Sequence, residues 1–198
     1  SYEGNWINGK MEGNGKIIFA DGSVYIGSFL DDNAHGIGKI TYPDGGFYDG
    51  TWYQGVIEGS GEAHYANGLI YVGEFQNAKN HGEGTMTYSD GYSYSGNWKE
   101  GTPDGKGISK YPDGTTYEGN FKDGERHGEG KIIMPDGFNY SGRWVSGEID
   151  GTGMAIYPNG DIYEGSFKKG QRDGQGKMKY ANGEEYNGSW KEGKKQSN

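Results

Sequence analysis

The chain has no cysteine, so neither a disulfide framework nor a thiol metal site is open to it. Long hydrophobic runs are also missing. No stretch approaches the length of a membrane-spanning helix, and no signal-peptide pattern opens the chain. Apolar residues are only 31% of the 198, too few for an ordinary compact core. Positive charge is short as well: 19 Lys and Arg face 28 Asp and Glu. The resulting net charge of −9 argues against generic nucleic-acid binding, which needs cationic surface to displace counterions. Low hydrophobicity with abundant glycine is ordinarily a mark of disorder.

What is present overrules disorder. The sequence repeats every 23 residues without insertion or deletion, with units starting at Tyr2, Tyr25, Tyr48, Tyr71, Tyr94, Tyr117, Tyr140, Tyr163 and Tyr186. The ninth unit stops in mid-repeat at Asn198, which reads as a segment of a longer protein. Forty of the 41 glycines fall at five positions of the unit, and all five Trp share one position otherwise held by Phe. A fixed period of this size means stacked supersecondary units, each touching mainly its neighbours. The domain expected is one array over residues 2–198.

Numbering the unit from its Tyr, positions 1, 3 and 5 are Tyr, Gly and Trp or Phe, separated mostly by polar residues. That period of two puts all three on one face of a strand. Positions 14, 16 and 18 (Gly15, Ile17, Phe19; Gly38, Ile40, Tyr42) predict a second strand with the same alternation. An Asp-Gly or Asn-Gly pair follows, as at Asp21-Gly22 and Asn67-Gly68, and such pairs tolerate the positive φ of tight hairpin turns. Glycine at this density costs about 1 kcal/mol per helical site relative to Ala, so helix has little case. The fold expected is all-β: an elongated, twisted, single-layer antiparallel sheet with one two-stranded hairpin per repeat. Gly at position 3 predicts floor space over which neighbouring rings lie, and stacked rings replace a conventional core.

Tyr2-Glu3-Gly4-Asn5-Trp6, Tyr117-Glu118-Gly119-Asn120-Phe121, His127-Gly128-Glu129-Gly130 and Tyr111-Pro112-Asp113-Gly114 carry a family pattern. The chain resembles MORN (membrane occupation and recognition nexus) repeats over essentially its whole length. The resemblance implies a twisted single-layer sheet with an aromatic-lined groove. It also implies a place among cytoskeletal, junctional and flagellar scaffolds, or among appendages of lipid kinases and of a lysine methyltransferase. Phosphoinositide binding is often attributed to such arrays. No kinase or methyltransferase domain accompanies the repeats here, so no activity transfers. Together with the missing cysteine, the resemblance implies a cytoplasmic protein at the cytoskeleton or membrane cortex.

Position 5 alternates without exception: Trp6, Phe29, Trp52, Phe75, Trp98, Phe121, Trp144, Phe167, Trp190. Alternating a large indole with a smaller phenyl keeps volume even along a ring ladder. Position 11 nearly follows, with Glu12, His35, Glu58, His81, Asp104, His127 and Asp150, before Asp173 breaks it. Two repeats separate successive histidines, roughly 19 Å at about 4.8 Å per strand, too far for one ion. A hairpin hydrogen bond is the role expected of them, and His64 is expected in solvent. No nucleophile lies beside a base, and the Gly-X-Gly pairs lack the following helix of a phosphate loop. No catalytic residue, metal ligand or cofactor is expected.

Three surfaces are candidates for partners. The first is the ring-lined groove: Tyr2, Trp6, Tyr25, Phe29, Tyr48, Trp52, Tyr71, Phe75, Tyr94, Trp98, Tyr117, Phe121, Tyr140, Trp144, Tyr163 and Phe167. The second is the opposite face, with apolar clusters at Ile18, Val24, Ile26, Phe47, Ile70 and Val72 and at Ile133, Met154, Ile156 and Ile162. The third is the exposed sheet edge, where Tyr186 and Trp190 are placed for homodimerisation. Lys168, Lys169 and Arg172 are the candidate phosphoinositide contacts. A protein-binding scaffold is the leading reading, and a phosphoinositide-binding targeting module is the alternative.

Overall fold

The computed structural model describes residues 1–196. They contain no helix and eighteen strands and divide into two compact units, the first ending at Thr102 and the second starting at Pro103. The first unit holds β1 (Tyr2–Ile7), β2 (Lys10–Ile18), β3 (Val24–Leu30), β4 (Asn33–Thr41), β5 (Phe47–Tyr53), β6 (Val56–His64), β7 (Ile70–Gln76), β8 (Lys79–Thr87) and β9 (Ser93–Lys99). The second holds β10 (Thr102–Lys110), β11 (Thr116–Lys122), β12 (Glu125–Ile133), β13 (Asn139–Val145), β14 (Glu148–Ile156), β15 (Ile162–Lys168), β16 (Gln171–Lys179), β17 (Glu185–Lys191) and β18 (Lys194–Lys195). Within each unit every strand pairs antiparallel with the next in sequence, which makes an open antiparallel sheet.

Two turns alternate. The loop at positions 7 and 8 has two residues, both left-handed: Gln54 at φ 47° and Gly55 at φ 82° are one example. This is the turn whose twist matches that of the flanking strands. It places non-glycine residues at positive φ, which costs roughly 1–2 kcal/mol each. The preceding repeat braces it. The N–H of Gly55 donates to the Ala34 carbonyl (2.8 Å), and the N–H of Gln54 donates to His35 Nδ1 (3.4 Å). The other seven of the first eight repeats supply the same kind of acceptor at position 11: Glu12 to Asp31, Glu58 to Asn77, His81 to Glu100, Asp104 to Asp123, His127 to Ser146, Asp150 to Lys169 and Asp173 to Glu192. Position 11 therefore tolerates Glu, His or Asp because each offers an acceptor. The imidazoles accept rather than donate.

The second turn differs from the sequence expectation. Its loop has three residues. The glycine alone is left-handed (Gly22 at φ 89°), while Asp21 is not among the positive-φ residues. The Asp21 carboxylate instead accepts the N–H of Ser23 (2.9 Å), and Asp44, Asn67, Asp90, Asp113, Asp136, Asn159 and Asn182 do the same in later repeats. A β-turn followed by one left-handed glycine satisfies both hairpin strands without straining the Asp.

The glycines at positions 3 and 14 face one another across successive strands: Gly27 with Gly38, Gly38 with Gly50, Gly50 with Gly61. The position-1 tyrosine lies over this glycine track. A Cβ placed on Gly50 would come within 2.5 Å of both Gly61 Cα and the Tyr48 hydroxyl. Each hydroxyl donates to the carbonyl of position 4 in its own repeat at 2.9–3.1 Å. That carbonyl sits where the hairpin register shifts, so the phenol satisfies an acceptor that the ladder abandons. Each Tyr meets the position-5 ring of its own repeat edge-on, and within each unit Tyr2, Tyr25, Tyr48, Tyr71, Tyr117, Tyr140 and Tyr163 also meet that of the next, at 5.0–5.5 Å and 77–89°. Edge-to-face is the arrangement ring quadrupoles favour, worth about 0.5–1.5 kcal/mol per pair beyond area burial. Tyr25, Tyr48, Tyr71, Tyr94, Tyr117, Tyr140 and Tyr163 are fully buried in this herringbone.

The Trp repeats carry a hydrogen bond that the Phe repeats lack. Trp52, Trp98, Trp144 and Trp190 each donate Nε1–H to the position-14 glycine carbonyl of the preceding repeat, at 2.9–3.2 Å. Position 10 alternates with it. Met11, Ile57, Pro103 and Ile149 precede repeats that carry Phe; Ala34, Asn80, Arg126 and Arg172 precede repeats that carry Trp. The guanidiniums of Arg126 and Arg172 lie over Trp144 and Trp190, at 4.6 and 4.3 Å from the ring centres.

Candidate interaction surface

The rings named from the sequence as groove contacts are the core itself. Those of positions 1 and 5 are buried, except Trp6, which is 57% exposed, and Tyr2 and Tyr186, which are half-buried. Trp190, named for self-association, is buried beneath Arg172. Positions 10, 16 and 18 share the ring-bearing face by register and alternation. Position 16 is buried with the rings from Ala63 onward, so the surface above the ladder belongs mainly to positions 10 and 18.

In the first unit this surface is open and apolar. Phe19, Tyr42, Tyr65 and Tyr88 stand along it at position 18, each 40–44% exposed. Beside Phe19, a trough of about 200 Å³ is lined by Met11, Ile17, Ala34, Ile40, Trp52 and Gly55, with Asp32 and Asn33 at its rim. In the second unit the equivalent rings, Tyr111, Tyr157 and Tyr180, are half-buried. Arg172 reaches over Tyr157 there, and Lys195 over Tyr180. A trough of about 290 Å³ lies between Arg126, Met134, Phe138, Trp144 and Ile149.

The three lysine and arginine positions picked as headgroup contacts separate. Lys168 and Lys169 line a polar cleft of about 350 Å³ together with Asp173, Lys191 and Glu192. Arg172 does not line it; its Nη2 donates to the Gly193 carbonyl at 2.7 Å and its guanidinium stacks on Trp190. The N–H of Glu192, with help from Lys191, holds the Asp173 carboxyl below its ordinary range, so that carboxylate stays charged inside the basic cleft.

No cluster of three metal-ligating side chains occurs among the described residues. His64, expected in solvent, instead stacks on Phe47 at 4.3 Å and bonds the Glu62 carboxylate, while Lys39 caps Phe47 at 3.9 Å. On the same outer face Ile26, Val72, Ile133 and Met154 are exposed.

A model of the MORN repeat matches nine consecutive segments: 2–24, 25–47, 48–70, 71–91, 94–116, 117–138, 140–162, 163–185 and 186–197. The chain belongs to the MORN-repeat family. Among solved structures, this MORN chain is similar to the wild-type TCP10 domain of Danio rerio CPAP, solved in complex with a peptide of Danio rerio STIL. The two are 13% identical, with a TM-score of 0.52, over 94% of this chain and 83% of that one. It is likewise similar to the G-box domain of the microcephaly protein CPAP, at 13% identity and TM-score 0.51, over 90% of this chain and all of the other. These likenesses show a shared fold. A streptogramin B lyase aligns at a TM-score of only 0.23, too distant to bear on activity.

Proposed function

We propose that this MORN array is a non-catalytic, cytoplasmic scaffold that holds extended segments of partner proteins along its ring-bearing face, at the cytoskeleton or membrane cortex. The observation that carries the reading is the row Phe19, Tyr42, Tyr65 and Tyr88 standing over an apolar trough. Aromatic anchors beside apolar depressions are where binding energy concentrates. The CPAP domain of similar fold was solved with a peptide of another protein, which supports a peptide-sized occupant. A phosphoinositide reading draws on Lys168 and Lys169 only, because Arg172 is committed to Trp190 and Gly193.

Affinity capture with quantitative mass spectrometry tests the scaffold reading. Tyr42→Ser with Tyr65→Ser lies on the exposed row and should leave the melting curve close to that of the parent. Loss of specific partners by about tenfold or more is expected, since two anchor rings are removed. Unchanged capture contradicts the scaffold reading. Headgroup-selective vesicle pelleting abolished by Lys168→Ala with Lys169→Ala would favour the lipid alternative.

A further inference from the structure

The repeats contain an internal template for a ligand. At position 10 before each Trp-bearing repeat, the second unit places an arginine. Arg126 covers Trp144, and Arg172 covers Trp190 while donating to the Gly193 carbonyl, 21 residues ahead. In the first unit Asn80 holds the corresponding position and is buried. At Ala34, by contrast, the side chain is one methyl, too short to cover Trp52. The space it leaves is the trough of about 200 Å³ lined by Ala34, Trp52 and Ile40. The carbonyl 21 residues beyond Ala34 belongs to Gly55, which lines the same trough, as does Asp32.

We infer that this trough is a receptor for one arginine side chain of a partner segment, whose guanidinium takes over Trp52 the place that Arg172 takes over Trp190. Three features favour that occupant. Trp52 and Gly55 line the trough at the repeat positions that Trp190 and Gly193 hold around Arg172, where the ring is stacked upon and the glycine carbonyl accepts. A planar guanidinium both stacks and donates, which an ammonium does not. The first unit also has no arginine: five lysines stand against thirteen Asp and Glu, a net charge of −8, whereas the second unit, with 14 basic and 15 acidic residues, is at −1. An acidic, aromatic surface attracts a cation and holds it through the ring face. The exposed rings of Phe19 and Tyr42 beside the trough would take the apolar residues flanking that arginine.

The inference deepens the scaffold reading and rests on it, but its test needs no partner. The full chain is titrated with acetyl-Ala-Arg-Ala-amide while its tryptophan indole N–H resonances are followed by NMR, the Trp52 signal being assigned through Trp52→Phe. The expected result is a saturable shift of the Trp52 indole and the Gly55 amide, about tenfold weaker with the citrulline analogue, which keeps the shape but lacks the charge. Ala34→Arg, which fills the trough from within as Arg126 and Arg172 do, should abolish the shift and raise the melting temperature. If Ala34→Arg misfolds, Ala34→Met blocks the trough without charge and should also abolish the shift. Equal response to arginine and citrulline, or shifts spread over all five indoles, would overturn the arginine site. That result leaves the partner-capture experiment standing on its own outcome.

Discussion

Gly50→Ala is expected to unfold the middle of the first unit. The added Cβ would lie 2.5 Å from Gly61 Cα and from the Tyr48 hydroxyl, and 2.6 Å from the Ser60 carbonyl. Two of these three are backbone, so no rotamer change relieves the clash. The strands must separate and the Tyr48 ring must leave its bed, and the second movement breaks the phenol bond to the Thr51 carbonyl (2.9 Å). Overpacking costs about 1–3 kcal/mol where side chains yield, and backbone that cannot yield puts this substitution at about 3 kcal/mol or more. Each repeat leans on its neighbours through the same ring pairs, so the damage should spread to the strands carrying Trp52 and Phe75. Gly45→Ala is the control. Gly45 is left-handed at φ 88° but has nothing within 4 Å of a Cβ, so only the strain of about 1–2 kcal/mol applies. Thermal melts followed by circular dichroism decide. Equal losses for the two variants would show that the tyrosine does not lie on the glycine track.

Alkali should dismantle the sheet in one step above pH 10. Burial pushes the phenols of Tyr25, Tyr48, Tyr71, Tyr117 and Tyr140 up to about 12. A tyrosine raised in the folded state supports folding fully below the unfolded value of about 10. As pH rises from 10 to 12 the unfolded chain sheds these protons and the folded chain keeps them, so stability falls through that window. Five such groups act together, and the buried phenolate could no longer donate to the position-4 carbonyl. Tyrosinate absorbance and far-ultraviolet circular dichroism, recorded together, should show that these five rings do not ionise while the sheet is intact. They should ionise only as the sheet is lost. Complete tyrosine ionisation near pH 10 with an unchanged sheet signal would contradict the buried herringbone.

The parts of this fold that were legible in the sequence are those fixed by period alone. Two strands per repeat follow from alternation at Tyr25, Gly27 and Phe29, and the glycine floor follows from its place between two rings. The turns were legible as turns but not as types. Asp21-Gly22 reads equally well as a two-residue loop, and only the bond from Ser23 N–H to the Asp21 carboxylate separates the cases. The histidines were legible as hairpin groups, yet not as acceptors shared with Glu12 and Asp150. That role depends on a left-handed turn one repeat ahead, which pairwise spacing does not display.

The binding surface was harder to read. Tyr48 and Trp52 look like contact rings because they are aromatic and periodic, but a ring that lies flat on glycine is shielded by the next ring. The exposed row, Tyr42 and Tyr65, occupies the position beside the turn, where alternation carries the side chain past the end of the ladder. The alternation of position 10, from Met11 and Ala34 to Arg172, was visible as a column and is the signal that would have found the trough over Trp52.

Hydroxyl-radical footprinting of the MORN array, alone and with a captured partner, tests the central claim most directly. The account predicts that Phe19, Tyr42, Tyr65 and Tyr88 are modified in the free protein and protected in the complex. Tyr48, Tyr71 and Tyr117 should stay unmodified in both. Protection confined to Ile26 and Val72 on the outer face, or modification of the position-1 tyrosines in the free protein, would contradict it.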